Sequence, residues 1–231
     1  MGRVEPPPQL HPTPAPADKG STQGGPLSPP AAEAATDHHA PPARGPIYQR
    51  LDLVSPAPYP RSWYIKKLLW ELAWRLLYRP TPRQLNRWRV FLLKLFGARI
   101  APTAVVRSTS KVWHPWILTL GEHSCLGDRV TVYNLGPVTI GDHTVLSQDA
   151  YICAGTHDYT RPELPLQRPP IDIGSGVWIC AKAFVGPGVK IGDNALVGAC
   201  SVVTRDVPAG MIVAGNPARV IRPRPAPEGV A

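Results

Sequence analysis

Cysteine is scarce in these 231 residues: Cys125, Cys153, Cys180 and Cys200 are the only four, and no two form a CxxC pair. That spacing excludes a zinc finger and a dense disulfide scaffold, and predicts free, reduced thiols used as small buried residues. Long apolar runs are also missing. None reaches the ~18 residues that a bilayer-spanning helix needs, and the N-terminus lacks the basic-then-apolar order of a secretory signal. The expectation is a cytoplasmic protein. Acidic residues are almost absent from one stretch, since positions 61–99 hold ten Lys or Arg against a single Glu. The formal net charge of +9 therefore belongs to that stretch, with the flanking segments near neutral.

What is abundant is proline and glycine, at 30 and 20 residues. Such a content suits a low-complexity chain, but 43% of the residues are hydrophobic, which excludes uniform disorder. Half of the prolines, 15, fall in residues 1–60, and this segment reads as a disordered Pro-rich tail. An isolated His38–His39 pair within it is no metal site by itself.

Residues 61–99 read as a basic amphipathic helical segment. From 62 to 79 there is no Gly or Pro, and Lys67, Glu71, Arg75 and Arg79 recur every four residues, one polar stripe on an otherwise Leu- and Trp-rich helix. Arg79-Pro80 ends it, and a second helix is predicted from Arg83 to Phe96 with Gly97 as its stop. Three uses are open for this pair: packing on the following domain or a neighbouring subunit, peripheral contact with an anionic membrane, or nucleic-acid binding. The last is disfavoured, because aliphatics interrupt the basic residues and no nucleic-acid motif accompanies them.

From Ile100 the chain repeats with a period of six. Aliphatics stand at Ile100, Val106 and Val112, then Leu120, Leu126 and Val132, then Ile140, Leu146 and Ile152, then Ile173, Ile179 and Val185, then Ile191, Val197 and Val203. Four positions later the residue is Ala, Ser, Thr or Val in all cases but Trp116 and Gly136. A helix has period 3.6 and a plain strand period 2, so period six predicts short strands turned at regular corners. Three hexads close a triangular coil. The fold class is an all-β solenoid, a parallel β-helix of about five to six coils stacked at ~4.8 Å, over residues 100–222 with a flexible tail at 223–231.

The interruptions of the repeat point to function. Val112 to Leu120 and Val132 to Ile140 are steps of eight, and Ile152 to Ile173 is a step of 21. Each follows the third hexad of its coil, so the extra residues project from one edge. The longest begins GTHDYTRPELPLQRPP. Its His157 stands where a rigid strand runs into a protruding loop, a place suited to a general base, although a lone His is as readily structural.

The hexads, the THD of the long loop, VWICAKAFVGPGVKIGD and VVTRDVPAGMIVAGNPARVI together resemble the hexapeptide-repeat acyltransferases. Within them the chain is most similar to the sugar O-acetyltransferases, which act on maltose, galactosides, nodulation factors and colanic acid or exopolysaccharide. WHPWILTLG, VYNLGPVTIG and the Trp-rich helices favour the exopolysaccharide branch. The resemblance covers about Lys66 to Arg222. It implies a left-handed β-helix, a homotrimer with active sites between subunits, acetyl-CoA as donor and no metal. It also implies that His157 deprotonates a hydroxyl of a sugar or lipid-linked oligosaccharide, with Asn134 and Asp158 on the acceptor side.

Carried over in the same way, Ala181 and Ala199 match positions whose backbone meets the pantetheine arm. Thr204, Arg205, Arg219 and Arg222 match those near the nucleotide end, where cations suit phosphates. Trp178 matches the family's corner Trp, and Cys180 stands where that stretch usually has Gly. Other functions with this coil remain as alternatives: a non-catalytic scaffold, or acetylation of a non-sugar hydroxyl such as serine or a xenobiotic. A zinc carbonic anhydrase of this shape needs a second His five residues after His157, where this chain has Pro162. A serine acetyltransferase would need a large N-terminal helical domain that the sequence lacks.

Overall fold

The computed structural model describes residues 46–54 and 59–229. Most of the expected Pro-rich tail, His38–His39 included, lies outside the described residues.

The hexads form three parallel sheets, one per face of the solenoid. On the first face Ile100, Leu120, Ile140, Ile173 and Ile191 pair in register. Val106, Leu126, Leu146, Ile179, Val197 and Val213 do so on the second, and Val112, Val132, Ile152, Val185 and Val203 on the third. Every one of these side chains is at most 4% exposed, and together they make a single continuous core. Each buried Leu or Ile stabilises the stack by about 1.5–3 kcal/mol.

The small residue four positions on completes the interior. Ala104, Ser124, Thr144, Ala183, Ala195 and Ser201 are all 0% exposed. The hydroxyls among them are satisfied: Ser124 Oγ donates to Gly141 O at 2.6 Å and Thr144 Oγ1 to Gly174 O at 2.7 Å, each bridging to the next coil. Thr156 departs from the expected pattern. It is only half-buried, because the chain has already left the solenoid to form a hairpin, Thr156–His157 against Leu166–Gln167.

Corners turn through a left-handed residue three positions after the aliphatic. His123, Arg129, His143, Asp149, Lys182, Asn194 and Cys200 hold φ between 52° and 60° there. The glycine directly after the aliphatic serves a different purpose. A Cβ on Gly127 would lie 2.6 Å from Leu146 O, and one on Gly192 2.5 Å from Ala209 N, so these positions must be bare for the next coil to stack. The cysteines are free thiols as expected but none is fully buried: Cys125, Cys153 and Cys180 are partly exposed, and Cys200 is an exposed corner residue.

Both ends of the stack are covered. Helix α1 (Arg61–Ala73) runs on into a π-helical turn, Trp74–Tyr78, and after a 3-10 turn helix α2 spans Asn86–Leu95. The wider π turn keeps Tyr78 on the face that carries Trp70 and Trp74. Those three side chains cap the free edge of the first coil: Trp70 Nε1 donates to Val112 O at 2.7 Å, Trp74 Nε1 to Ser110 O at 3.0 Å and Tyr78 Oη to Arg107 O at 3.1 Å. From α2, buried Arg89 donates to Val106 O at 2.8 Å, and Asn86 both donates to Ala104 O and accepts from Val106 N at 2.9 Å. An unpaired strand edge is thus saturated by side chains. The helix pair packs on the following domain, as one of the three sequence readings held.

At the other end, Met211–Gly215 begins a sixth coil and Ala218–Pro223 folds back antiparallel upon it. Arg224 falls within the expected flexible tail but is anchored, donating to Gly176 O at 2.9 Å. No helix among the described residues is long and apolar enough to cross a membrane.

Candidate active site

All three interruptions of the repeat fall at the corner between the third and first faces. His114 and Asn134 occupy corresponding positions in the first two, twenty residues apart, which is the length of a coil with its two-residue insert. Because they stack, they pair: His114 N donates to Asn134 Oδ1 at 2.9 Å, Asn134 Nδ2 donates to His114 O at 2.7 Å, and His114 Nδ1 meets Asn134 O at 2.9 Å. The Asn134 side chain is 0% exposed. One N–H and the oxygen of this amide are thus engaged with the His114 backbone, inside the corner expected to face the acceptor.

His114 is itself 2% exposed, packed edge-on against Tyr59 and Trp63 and tilted over Trp116. Burial pushes its pKa below the ordinary histidine value, which keeps the ring neutral.

The third interruption is the hairpin that carries His157. Its Nδ1 lies 2.6 Å from Leu164 O. A carbonyl can only accept, so Nδ1 holds a proton, and in the neutral ring the lone pair lies on Nε2. Leu164 stands at φ 47°, an uncommon conformation for a bulky side chain, in the turn that presents this carbonyl to the imidazole. Asp158 does not contact His157. Its Oδ1 accepts from Thr160 Oγ1 at 2.6 Å and Thr160 N at 3.0 Å, which shapes the loop tip and holds the carboxyl below its usual pKa.

His157 opens on a cavity of about 370 Å³ whose wall includes His114, Trp113, Tyr133, Lys67 and Glu163. Trp113 and Tyr133 meet edge to face at 4.6 Å, and Lys67 Nζ lies over the Trp113 ring at 4.3 Å. Burial lowers the Lys67 pKa and raises that of Tyr133. Leu53 and Val54 complete the wall, and Arg50 N donates to Pro162 O at 2.8 Å. These residues were expected in a disordered tail; backbone pairing with the loop holds them in place instead. Sequence reasoning missed His114, although its coil-length spacing from Asn134 was a usable signal. It also missed Leu53, Val54 and Tyr59, for which no pattern in the tail gives notice.

The residues matched to donor binding lie elsewhere. Ala181 and Ala199 stack on successive coils at the corner between the second and third faces, where Cys200 N donates to Ala181 O at 2.9 Å. Trp178 is 45% exposed near that corner, its Nε1 donating to Ser147 Oγ at 2.9 Å. Thr204 and Arg205 are exposed after the last strand of the third face, and Arg219 and Arg222 are exposed on the terminal strand. One chain therefore presents the imidazole and the two alanines at different edges. Among the described residues no group of His, Cys, Asp or Glu is arranged to hold a metal ion.

Within this three-faced parallel solenoid, residues 170–205 match the family described as bacterial transferase hexapeptide (six repeats). The chain is 45% identical over 160 residues, 69% of its length, to an Escherichia coli K12 protein provisionally named colanic acid biosynthesis acetyltransferase WcaF, and spans 88% of that protein. It is 37% identical over 156 residues, 64% of its length, to nodulation protein L of Rhizobium meliloti, spanning 82% of it. Among solved structures, galactoside acetyltransferase in complex with coenzyme A superposes with a TM-score of 0.66 at 26% identity, covering 78% of this chain and 92% of that one. The protein belongs to the hexapeptide-repeat acetyltransferases.

Proposed function

We propose that the protein transfers the acetyl group of acetyl-CoA to a hydroxyl of a sugar or exopolysaccharide precursor, with His157 as general base. The observation that carries this reading is the bond from His157 Nδ1 to Leu164 O, which in the neutral ring assigns the lone pair to Nε2 beside an open, aromatic-walled cavity. In the proposed reaction Nε2 takes the hydroxyl proton as that oxygen attacks the thioester carbonyl. The tetrahedral intermediate then collapses, the C–S bond breaks and the imidazolium returns the proton to the CoA thiolate. Attack is direct, so no cysteine need act as nucleophile. Holding both substrates in one cleft supplies much of the rate. Trp113 and Tyr133 offer rings for the apolar face of a pyranose, and Asp158 reaches the acceptor from the loop tip.

The donor is assigned to Ala181 and Ala199 along the pantetheine arm, with Trp178 at its corner and Thr204, Arg205, Arg219 and Arg222 toward the nucleotide. Support comes from the similarity to the WcaF acetyltransferase and to galactoside acetyltransferase solved in complex with coenzyme A. Because these residues and His157 occupy different edges of one chain, the reading includes a homotrimer in which each site is completed by a neighbour. Catalysis is assigned to the cytoplasm, where acetyl-CoA is available. The test is His157→Ala assayed by acetyl-CoA-dependent thiol release over a panel of free, nucleotide-linked and lipid-linked sugars. Turnover is expected to fall by about 10² to 10⁴ with CoA affinity retained; undiminished turnover refutes the assignment.

A further inference from the structure

Helix α1 has two apolar faces, and only one of them meets the solenoid. Trp70, Trp74 and Tyr78 point into the first coil. Opposite them Ile65, Leu68, Leu69, Leu72 and Leu76, spaced three and four apart, are 54–70% exposed. Helix α2 continues this surface with Trp88, Phe91 and Leu95, at 38%, 52% and 66%. The two stripes meet, because Trp88 Nε1 donates to Leu77 O at 2.9 Å and its ring stacks on Phe91 at 5.6 Å. Every exposed charged residue of this helical segment up to Lys94 is cationic: Arg61, Arg75, Arg79, Arg83, Arg87 and Lys94. Its one acid, Glu71, is mostly buried and paired with Lys111 at 3.3 Å.

A contiguous apolar surface of this kind marks an interaction site. Its charge selects the partner. Self-association through this face would bring like charges together, whereas a surface of anionic headgroups over acyl chains complements both the arginines and the Leu, Trp and Phe side chains. We propose that the outward faces of α1 and α2 form an interfacial anchor that lays the N-terminal end of the solenoid on an anionic bilayer. The attachment is in-plane. It does not depend on the catalytic assignment, but it has a consequence for it: a groove formed by Leu68, Leu72, Arg75 and Lys111 shares Lys67 and Trp113 with the His157 cavity. Anchoring sets that cavity beside the lipid.

The experiment is flotation of the full chain with phosphatidylcholine vesicles, alone or with about 30% phosphatidylglycerol. Binding is expected with the anionic vesicles only, weakening as salt is raised. Replacing Leu68, Leu72 and Leu76 together by Glu should abolish it, and Arg75→Gln with Arg87→Gln should lower partitioning roughly tenfold or more. Both variants should keep the parent's thermal melt and sedimentation coefficient. No flotation, equal flotation with neutral vesicles, or unaltered binding by the variants overturns the proposal. A change of oligomeric state in the Leu variant also overturns it, by showing the face to be a subunit interface.

Discussion

The corner between the second and third faces and the corner between the third and first are built from the same hexads and do different work. At the first, no residue is inserted before the last coil; left-handed Arg129, Asp149, Lys182 and Cys200 repeat the same turn, and Arg129 bridges to Asp149 of the next coil at 2.7 Å. At the second, inserted residues break the ladder three times and bring His114, Asn134 and His157 to one edge. A strict hexad repeats one turn from coil to coil and leaves an open groove along that corner, lined by Arg107, Cys125, Arg129 and Ser147. Two extra residues at a corner place a polar side chain that bonds across coils, as Asn134 does to His114, and fifteen extra residues form a hairpin with a carbonyl aimed at an imidazole. Regularity thus serves stability, and departures from it make the site.

That contrast breaks if substitutions at the two corners behave alike. The largest separation is expected from His157→Ala, which should remove two to four orders of magnitude of turnover while leaving the thermal midpoint where it was. Leu146→Ala, in the unbroken ladder, should do the reverse. It should destabilise by about 2–5 kcal/mol in chemical denaturation while the folded fraction keeps its specific activity. Asn134→Ala should affect both, because it strips His114 N–H and O of their partners inside a buried site. A loss of about 1–3 kcal/mol accompanied by reduced turnover is the expected outcome.

A smaller effect sharpens the role of His114. Its folded pKa lies below its unfolded value, so the unfolded state binds the extra proton, and stability should fall as pH drops through about 6.5. His114→Phe should flatten that dependence in melts run between about pH 7 and 5. Least of all, Arg129→Ala at the regular corner should alter neither melting nor turnover, since its ion pair with Asp149 lies in solvent.

The two helices show where local pattern stops being informative. Their existence and ends were legible: the stretch without Gly or Pro, the break at Arg79-Pro80 and the stop at Gly97, which adopts φ 97°. Which apolar face would be covered was not. Trp and Leu both count as large apolar residues in a helical pattern, but an indole N–H can satisfy an orphaned strand carbonyl and a leucine cannot. So the Trp face docked and the Leu face stayed outside.

The linear order of residues determined the three faces, the number of coils, the interrupted corner and the prominence of His157. All of these follow from a period that each hexad repeats for itself. The tertiary structure decided the rest. It turned Asn134 inward onto His114, gave His157 the Leu164 carbonyl as its orienting partner, and drew Leu53 and Val54 into the wall of the cavity. The physical reason is that periodicity encodes what a residue does relative to its own chain direction. A site at a solenoid edge is made by side chains one or more coils apart, and their meeting depends on stacking height, loop closure and which buried polar groups remain to be satisfied.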